Sequence, residues 1–364
     1  MKKMIISAKV LKPALKKLSQ GINKNAALPV LSNLLCKVGT NEVEFITSDL
    51  ELTIKYRCEC ETSGAPFEML IPFDFISKVA SLSGNTPISI ELPVQKKAVI
   101  IGMNDRYELN SLDKVADYPV LPELPKTNLI TLNGDFILWL NRAMATIGKD
   151  EIRPAMTKAC MDIQDVGMTL VSTDAHVIFT HSFPVESAKA DQLLVSPKIA
   201  KALDEFTETE IYWGEKHIAF KSGGITVIAT RHEDKYPNYK AAIPDYQSNL
   251  LLDRQDLINA LDRMCLNSSD SKQAHLLLRK EKGTIHFECR DENFNRYIRA
   301  DIPGAYEGPV ESVCVNASKL LTLMHQVAFD QVGLHIHYQN KAILITAESD
   351  PGYLGLIMPL IINE

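Results

Sequence analysis

Ser172, Asp174 and His176 alternate in the run Ser172-Thr173-Asp174-Ala175-His176, and these are the residue types of a hydrolytic relay. Nucleophilic catalysis needs an exposed nucleophile, an oriented base and an oxyanion hole. No Gly-x-Ser-x-Gly elbow occurs, and residues two apart on one strand face one way in an order unsuited to a relay. Asp174 therefore reads as a turn cap and His176 as the lining of a surface pocket. His335 and His337 alternate on a strand, as do Cys58 and Cys60, and each pair has metal-ligand chemistry. Neither has a second Cys/His pair at ligand spacing, so no metal and no cofactor are expected. Asp49 and Glu51 read as the entry to a strand, and no phosphate-binding glycine loop is present. The expectation is a protein without catalytic residues.

The end of the sequence offers chemistry of another kind. Met358-Pro359-Leu360-Ile361-Ile362 is an apolar tail that must dock or fray. Pro359 argues against a central strand. Packed beside Tyr236-Pro237, such a tail forms one wall of an apolar groove suited to peptide capture.

The elements that would carry these residues recur three times, roughly every 120 residues. Each copy reads as strand, helix, several strands, helix, several strands. The first helices are predicted over Ala8 to Gln20, with Gly21 as C-cap, through Phe136, Ile137, Leu140 and Met144, and through Leu257, Ile258, Leu261 and Met264. The second helices are predicted over Pro72 to Leu82, Pro197 to Phe206 and Ala317 to Val327. Ser222-Gly223-Gly224 reads as a hairpin turn. Two proline-rich linkers, each holding Tyr-Pro at Tyr118-Pro119 and Tyr236-Pro237, place boundaries near Pro125 and Pro244. The expected domains are 1–125, 126–244 and 245–364. Two helices per copy cannot cover both faces of a sheet, so the fold class is α+β, with the helices on one face of antiparallel sheets.

The 364 residues are 46% hydrophobic and 23% charged, with net charge −6. That excludes a uniformly basic nucleic-acid binder but leaves room for a local basic face. Ser7 to Gly21 holds four Lys and no acid, with Lys9, Lys12 and Lys16 near one face. Seven Cys without framework spacing suit a reducing compartment. Lys9, Lys12, Lys16 and Lys17 interrupt any leader-like apolar core, so a cytoplasmic protein that spans no membrane is expected.

Leu28-Pro29-Val30-Leu31-Ser32-Asn33-Leu34-Leu35, Ser48-Asp49-Leu50-Glu51, Ser172-Thr173-Asp174-Ala175-His176, Tyr236-Pro237-Asn238-Tyr239 and Met358-Pro359-Leu360 occur here in that order, over a triple repeat. In this the chain resembles the bacterial sliding clamps, the β subunits of the replicative DNA polymerase, over essentially its full length. The resemblance implies a head-to-tail homodimer closed into a ring around duplex DNA, without sequence readout. It also implies a non-catalytic processivity factor that tethers the replicative polymerase, the clamp loader and other proteins through short peptides.

Carried over by position, the resemblance puts Met156, Thr173, Ala175, His176, Val177 and Ile178 on one side of the peptide pocket. Pro237, Leu356, Met358, Pro359 and Leu360 form the other. Val177 stands where a basic residue often follows the His, and Ala241 and Ala242 replace bulkier residues, which predicts a more apolar and less basic pocket. Arg106 and Tyr107 would meet Cys265 and Leu266 across the dimer contact. Lys12, Lys16, Lys24, Arg142, Lys149, Arg153, Lys198, Lys201 and Arg254 are the candidate DNA contacts, by phosphate neutralisation. Two other readings are a repeat-built peptide-binding scaffold that does not encircle DNA, and a hydrolase using the Ser172–His176 region.

Overall fold

The computed structural model describes residues 2–23, 28–92, 98–102, 105–109, 114–186, 189–245, 247–266, 273–278, 283–291 and 295–361. Six α-helices occur among them: α1 (Ala8–Leu18), α2 (Phe73–Leu82), α3 (Asp135–Ala143), α4 (Pro197–Ala202), α5 (Arg254–Cys265) and α6 (Ala317–His325). All six lie where apolar periodicity predicts them. In α1 the buried residues are Ala8, Leu11, Ala14, Leu15 and Leu18, the stripe of a helix lying on a core. The Ser7 hydroxyl accepts from the Lys9 N–H and caps the helix start.

The predicted Gly21 cap takes another form. A 3-10 turn over Ser19–Gly21 ends this helix, and Gly21 is not among the residues with positive φ. Glycine is required there because a Cβ would lie 2.6 Å from the Thr47 hydroxyl. The hairpin at Gly223 does use the left-handed region, at φ 54°.

The order strand, helix, strands, helix, three strands recurs three times along the chain. The packing follows a different division. One compact unit comprises Met1–Gly134 with Lys198–Arg231, and the other Asp135–Pro197 with His232–Glu364. Strand pairing explains the difference. In the first unit the closing strand of the second repeat, Ile225–Thr230, pairs antiparallel with Leu52–Glu59 of the first. The result is an eight-stranded sheet that begins at Asn128–Leu132 and ends at Phe67–Pro72. In the second unit the closing strand Tyr353–Ile357 pairs antiparallel with Val177–Phe183, giving a nine-stranded sheet. The repeat is the unit of sequence, and the composite sheet is the unit of packing.

Each unit also holds a smaller sheet. The first has five strands and ends at Arg106–Leu109, the second four and ends at Arg296–Pro303. These two edge strands are the first and third repeats' counterparts of the strands that pair across the repeat boundaries.

A backbone signature marks the repeat more clearly than side chains do. Leu50, Ala175 and Asn295 have φ of 80°, 74° and 48°, each in the turn just before Leu52–Glu59, Val177–Phe183 or Arg296–Pro303. Two of the three are neither glycine nor asparagine, so the fold holds strained turns there.

Candidate functional site

The run that looked hydrolytic is a turn. Ser172 is fully buried and its hydroxyl is hydrogen-bonded to that of Thr146. The Asp174 carboxylate accepts from the backbone N–H of His176 at 2.9 Å and of Val177 at 3.0 Å. The Thr173 hydroxyl donates to the Val177 carbonyl at 2.6 Å and accepts from the Ala175 N–H at 3.1 Å. These four bonds hold Ala175 in its left-handed conformation. The second Asp174 oxygen receives the Lys319 ammonium from α6. Burial presses the Asp174 carboxyl upward, but Lys319 and the two turn N–H groups outweigh it and hold it below the usual carboxylate range. His335 is buried with Nε2 2.8 Å from the Thr346 hydroxyl, and His337 bonds the Gln247 carbonyl. No group of three or more possible metal ligands occurs among the described residues.

The tail lies against this turn. The Met358 N–H donates to the His176 carbonyl and the Leu360 N–H to the Cys314 carbonyl, both at 2.8 Å. The last strand stops at Ile357, so Pro359 falls outside the ladder. Beneath, Ile178, Leu344, Leu356, Tyr236 and Tyr239 share one buried apolar cluster. The Tyr239 hydroxyl donates to Asp162 at 2.7 Å, which anchors the linker to the sheet.

A cavity of about 450 Å³ opens beside the turn. Ile147, Met156 and Val177 give it an apolar floor, and Lys149, Arg153 and Lys319 stand on its rim. The Gly148 N–H bonds the Met156 carbonyl at 2.8 Å, so the segment between them folds over as a loop carrying two of those cations.

Of the expected pocket residues, Met156 and Val177 line this cavity. Thr173 is a buried brace, and Ile178 and Leu356 form the underlying core. Ala175, His176 and Met358 are exposed, and Pro237, Pro359 and Leu360 half-buried. Three cations, Lys149, Arg153 and Lys319, line the cavity together with its apolar residues. Lys319 was legible only as one base on a helix, since its partner Asp174 lies 145 residues away.

The cation-bearing helices of the first unit are largely paired. Lys12 donates to the Gly84 carbonyl at 2.6 Å. Lys16 and Lys17 pair with Glu205 at 3.4 and 3.2 Å, and Lys198 with Asp49. Lys201 is exposed on α4. In the second unit Arg142 lies over the Trp139 ring at 4.4 Å, and Arg254 donates to the Phe329 and Met324 carbonyls. Lys24 lies outside the described residues.

At the edges, Arg106 is exposed and Tyr107 meets the Phe75 ring edge-on at 5.6 Å. Cys265 ends α5 half-buried, and Leu266 after it is 72% exposed. An aliphatic side chain that exposed at a helix end, on the helix packed against the edge strand Arg296–Pro303, is a seat without an occupant among the described residues.

Repeats that join by strand pairing, with helices beside the sheets, define the fold of the sliding clamps. Solved structures agree. The chain superposes on the Pseudomonas aeruginosa sliding clamp with a TM-score of 0.89 at 21% identity, covering 99% of this chain and 100% of the other. The Bacillus subtilis clamp gives 0.87 at 17%, each chain covered in full. The family of the DNA polymerase III beta subunit, N-terminal domain, matches residues 2–122. The beta sliding clamp of Pseudomonas putida is 25% identical over 349 residues, 93% of this chain and 94% of that protein. That of Staphylococcus epidermidis is 20% identical over 361 residues, 94% of each. Residues 2–122 thus match the family of DNA polymerase III beta subunits, and the chain as a whole has the fold of the sliding clamps.

Proposed function

We propose that this protein is a non-catalytic sliding clamp. Two copies close head to tail into a ring around duplex DNA and tether the replicative polymerase, its clamp loader and other peptide-bearing partners in the cytoplasm. No helix among the described residues is long and apolar enough to cross a membrane. The repeats 1–125, 126–244 and 245–364 are the domains of this reading, three from each copy.

The observation that carries it is the pair of unmatched edge strands. At the two joints within the chain, the first residue of the closing strand pairs with the residue six beyond the positive-φ turn. Ile225 pairs with Tyr56, six beyond Leu50, and Tyr353 with His181, six beyond Ala175. The same rule sets Arg106 of one copy opposite Asp301 of the next, six beyond Asn295. Glu108 then faces Arg299, and Tyr107 and Leu109 face Ala300 and Ile298. Both outer pairs are opposite in charge, and both inner pairs are apolar. Exposure follows the same alternation, with Arg106, Glu108, Arg299 and Asp301 exposed, Tyr107, Leu109 and Ile298 half-buried and Ala300 buried. Two heterologous contacts under one twofold axis close the assembly.

In the ring, Lys12, Lys16, Lys198, Lys201 and Lys24 supply sequence-blind phosphate contacts that weaken as salt rises. Arg142 and Arg254 act mainly on the protein itself, through Trp139 and the Met324 and Phe329 carbonyls respectively. The groove that takes partner peptides is the cavity at Met156 and Val177 with the adjoining tail.

The test is retention after loading. The protein should stay on closed circular DNA through a high-salt wash and leave when the circle is cut. Leu266→Asp, a charge in the apolar seam, should shift the dimer to monomer by sedimentation and abolish retention. A dimeric Leu266→Asp protein would reject this seam. A scaffold that never encircles DNA would show no dependence on circularity.

A further inference from the structure

The edge strand Arg296–Pro303 pairs with Thr284–Asp291, which sets Asp301 opposite His286 and Arg299 opposite Glu288. Asp301, Arg299 and His286 converge on one atom. His286 Nδ1 lies 2.7 Å from an Asp301 carboxylate oxygen and 2.9 Å from an Arg299 guanidinium nitrogen. Arg299 Nε donates to the same Asp301 oxygen at 3.0 Å. The imidazole side chain is 10% exposed, against 48% for Asp301. One ring nitrogen cannot serve both neighbours. Bare, Nδ1 accepts from Arg299; carrying a hydrogen, it donates to Asp301. In the imidazolium only the Asp301 bond remains, and the ring becomes a cation against the Arg299 guanidinium. His286 and then Arg299 hold the Asp301 carboxyl below the usual carboxylate range, so Asp301 stays an anion throughout.

The strand that would meet this edge brings its own balanced pair, Arg106 Nε to Glu108 at 3.2 Å. In the register given above, Arg106 faces Asp301 and Glu108 faces Arg299. With His286 neutral, the seam closes on two cations and two anions. With His286 protonated, three cations meet two anions, and Arg106 shares Asp301 with both Arg299 and the imidazolium. Arg106 enters in the row of His286, whereas Glu108 enters in the neighbouring row. The other groups around the ring are present alike before and after closure. Glu288, two residues on, accepts from the Tyr297 hydroxyl, and Arg290 lies over the Tyr297 ring at 5.5 Å. On Gln273–Leu277, Leu277 is opposite His286, and His275 is opposite Glu288. The buried residues of α5, which packs on these strands, are all apolar.

We infer that His286 makes ring closure sensitive to pH, its protonation on the acid side of neutrality loosening the seam between two copies of this chain. The inference rests on the ring reading and adds its control. By linkage, closure expels the proton that acid conditions supply. A ring has two identical seams, so each loosening counts twice.

The experiment labels two samples of the full-length protein with donor and acceptor dyes, mixes them and follows subunit exchange. The exchange rate reads seam opening however tight the dimer is. From about pH 8 to about pH 6 it should rise about tenfold, roughly threefold for each seam, the scale of one partly exposed ion pair. His286→Gln keeps a hydrogen-bonding group that takes no charge, and its rate should stay nearly flat. His286→Asn is read in the same way where circular dichroism shows the Gln variant unfolded. His275→Gln should keep the full rise. A rate independent of pH in the unaltered protein would overturn the inference and leave the ring. A rise that survives in His286→Gln, or that His275→Gln abolishes, would also overturn it. Labelled protein that sediments as a monomer at both pH values would remove the ring reading itself.

Discussion

The two joints between repeats are built on one plan, and at the second a cavity opens beside the turn. At the first, Asp49 caps the turn by accepting from the Glu51 and Leu52 N–H groups, and Lys198 at the start of α4 pairs with it. At the second, Asp174 caps His176 and Val177, and Lys319 near the start of α6 pairs with it. Equivalent residues at the end of each closing strand even make the same bond, Thr230 to the Glu51 carbonyl and Met358, just past its strand, to the His176 carbonyl. The backbone is shared, and the side chains differ. In the 3-10 turn Pro29–Ser32 the apolar residue Leu31 is buried in a cluster with Tyr118. In the matching turn Pro154–Thr157, Met156 stays half-exposed and lines the cavity. After the first joint the chain continues as Arg231-His232-Glu233-Asp234, whereas after the second it ends in the apolar tail. A repeat thus gives the geometry of a site several times, and local side chains decide where it opens.

The strongest way to break this comparison is to remove the two caps in parallel. Asp49→Ala and Asp174→Ala each strip two backbone donors and one lysine of their acceptor. Each should cost about 1–3 kcal/mol of stability, measured by urea unfolding. Only Asp174→Ala should weaken peptide binding, by about tenfold, the equivalent of 1.4 kcal/mol. Equal peptide affinity in the two variants would mean that the Asp174 turn does not shape the groove.

Much of this plan can be read from sequence, and the rest fails for a physical reason. Helical periodicity located α1 through Leu11, Leu15 and Leu18, and Asp174 was legible as a turn cap, because both depend on residues within a few positions. Pro359 correctly marked the end of the last strand for the same reason. The joints were not legible. Leu52 pairs with Ala229 and Val177 with Ile357, and nothing local specifies a partner that far along the chain. Gly21 was misread because the atom that demands glycine belongs to Thr47. The partner of Lys319 was not legible because that carboxylate, Asp174, lies in another repeat. The pairing of Lys16 and Lys17 was not legible either, because Glu205, which holds both, is distant in sequence.

A smaller effect separates the joints by pH. Tyr56 and His181 occupy equivalent positions, each opposite the first residue of the closing strand. His181 stacks on Trp139 at 3.9 Å and its Nε2 lies 3.2 Å from Asp350. Burial lowers the imidazole below its ordinary value, and Arg142 adds to this, against the upward pull of Asp350 and Asp135. The unfolded chain therefore takes the proton first as pH falls below about 6.5, and the stability held by neutral His181 is lost on the acid side. Thermal melts at pH 7.5 and 5.5 should show a smaller acid loss in His181→Gln than in the unaltered protein. His275, also lowered by burial, would leave a residual slope. An unchanged slope in His181→Gln would place the sensitivity outside the second joint.

The smallest expected effect tests whether the shared backbone is strained alike at both joints. Leu50 and Ala175 hold left-handed φ, which costs a residue with a Cβ about 1–2 kcal/mol. Glycine removes that cost but adds about 0.5–1 kcal/mol of chain entropy to be lost on folding. Leu50 is largely exposed, and Ala175 carries only a methyl group, so neither substitution empties a core. Leu50→Gly and Ala175→Gly should each raise stability by less than about 1 kcal/mol, which differential scanning calorimetry reads as a shift of a degree or two. Similar gains would show that the turn is a common constraint, held by Asp49 and Asp174 in the same way. A loss at Ala175 alone would mean that the second joint has adapted to its methyl group, and that the groove there differs in backbone as well as in side chains. Asn295 gives the internal control. The third repeat already uses a residue whose short amide tolerates this conformation, so Asn295→Gly should change stability less than either.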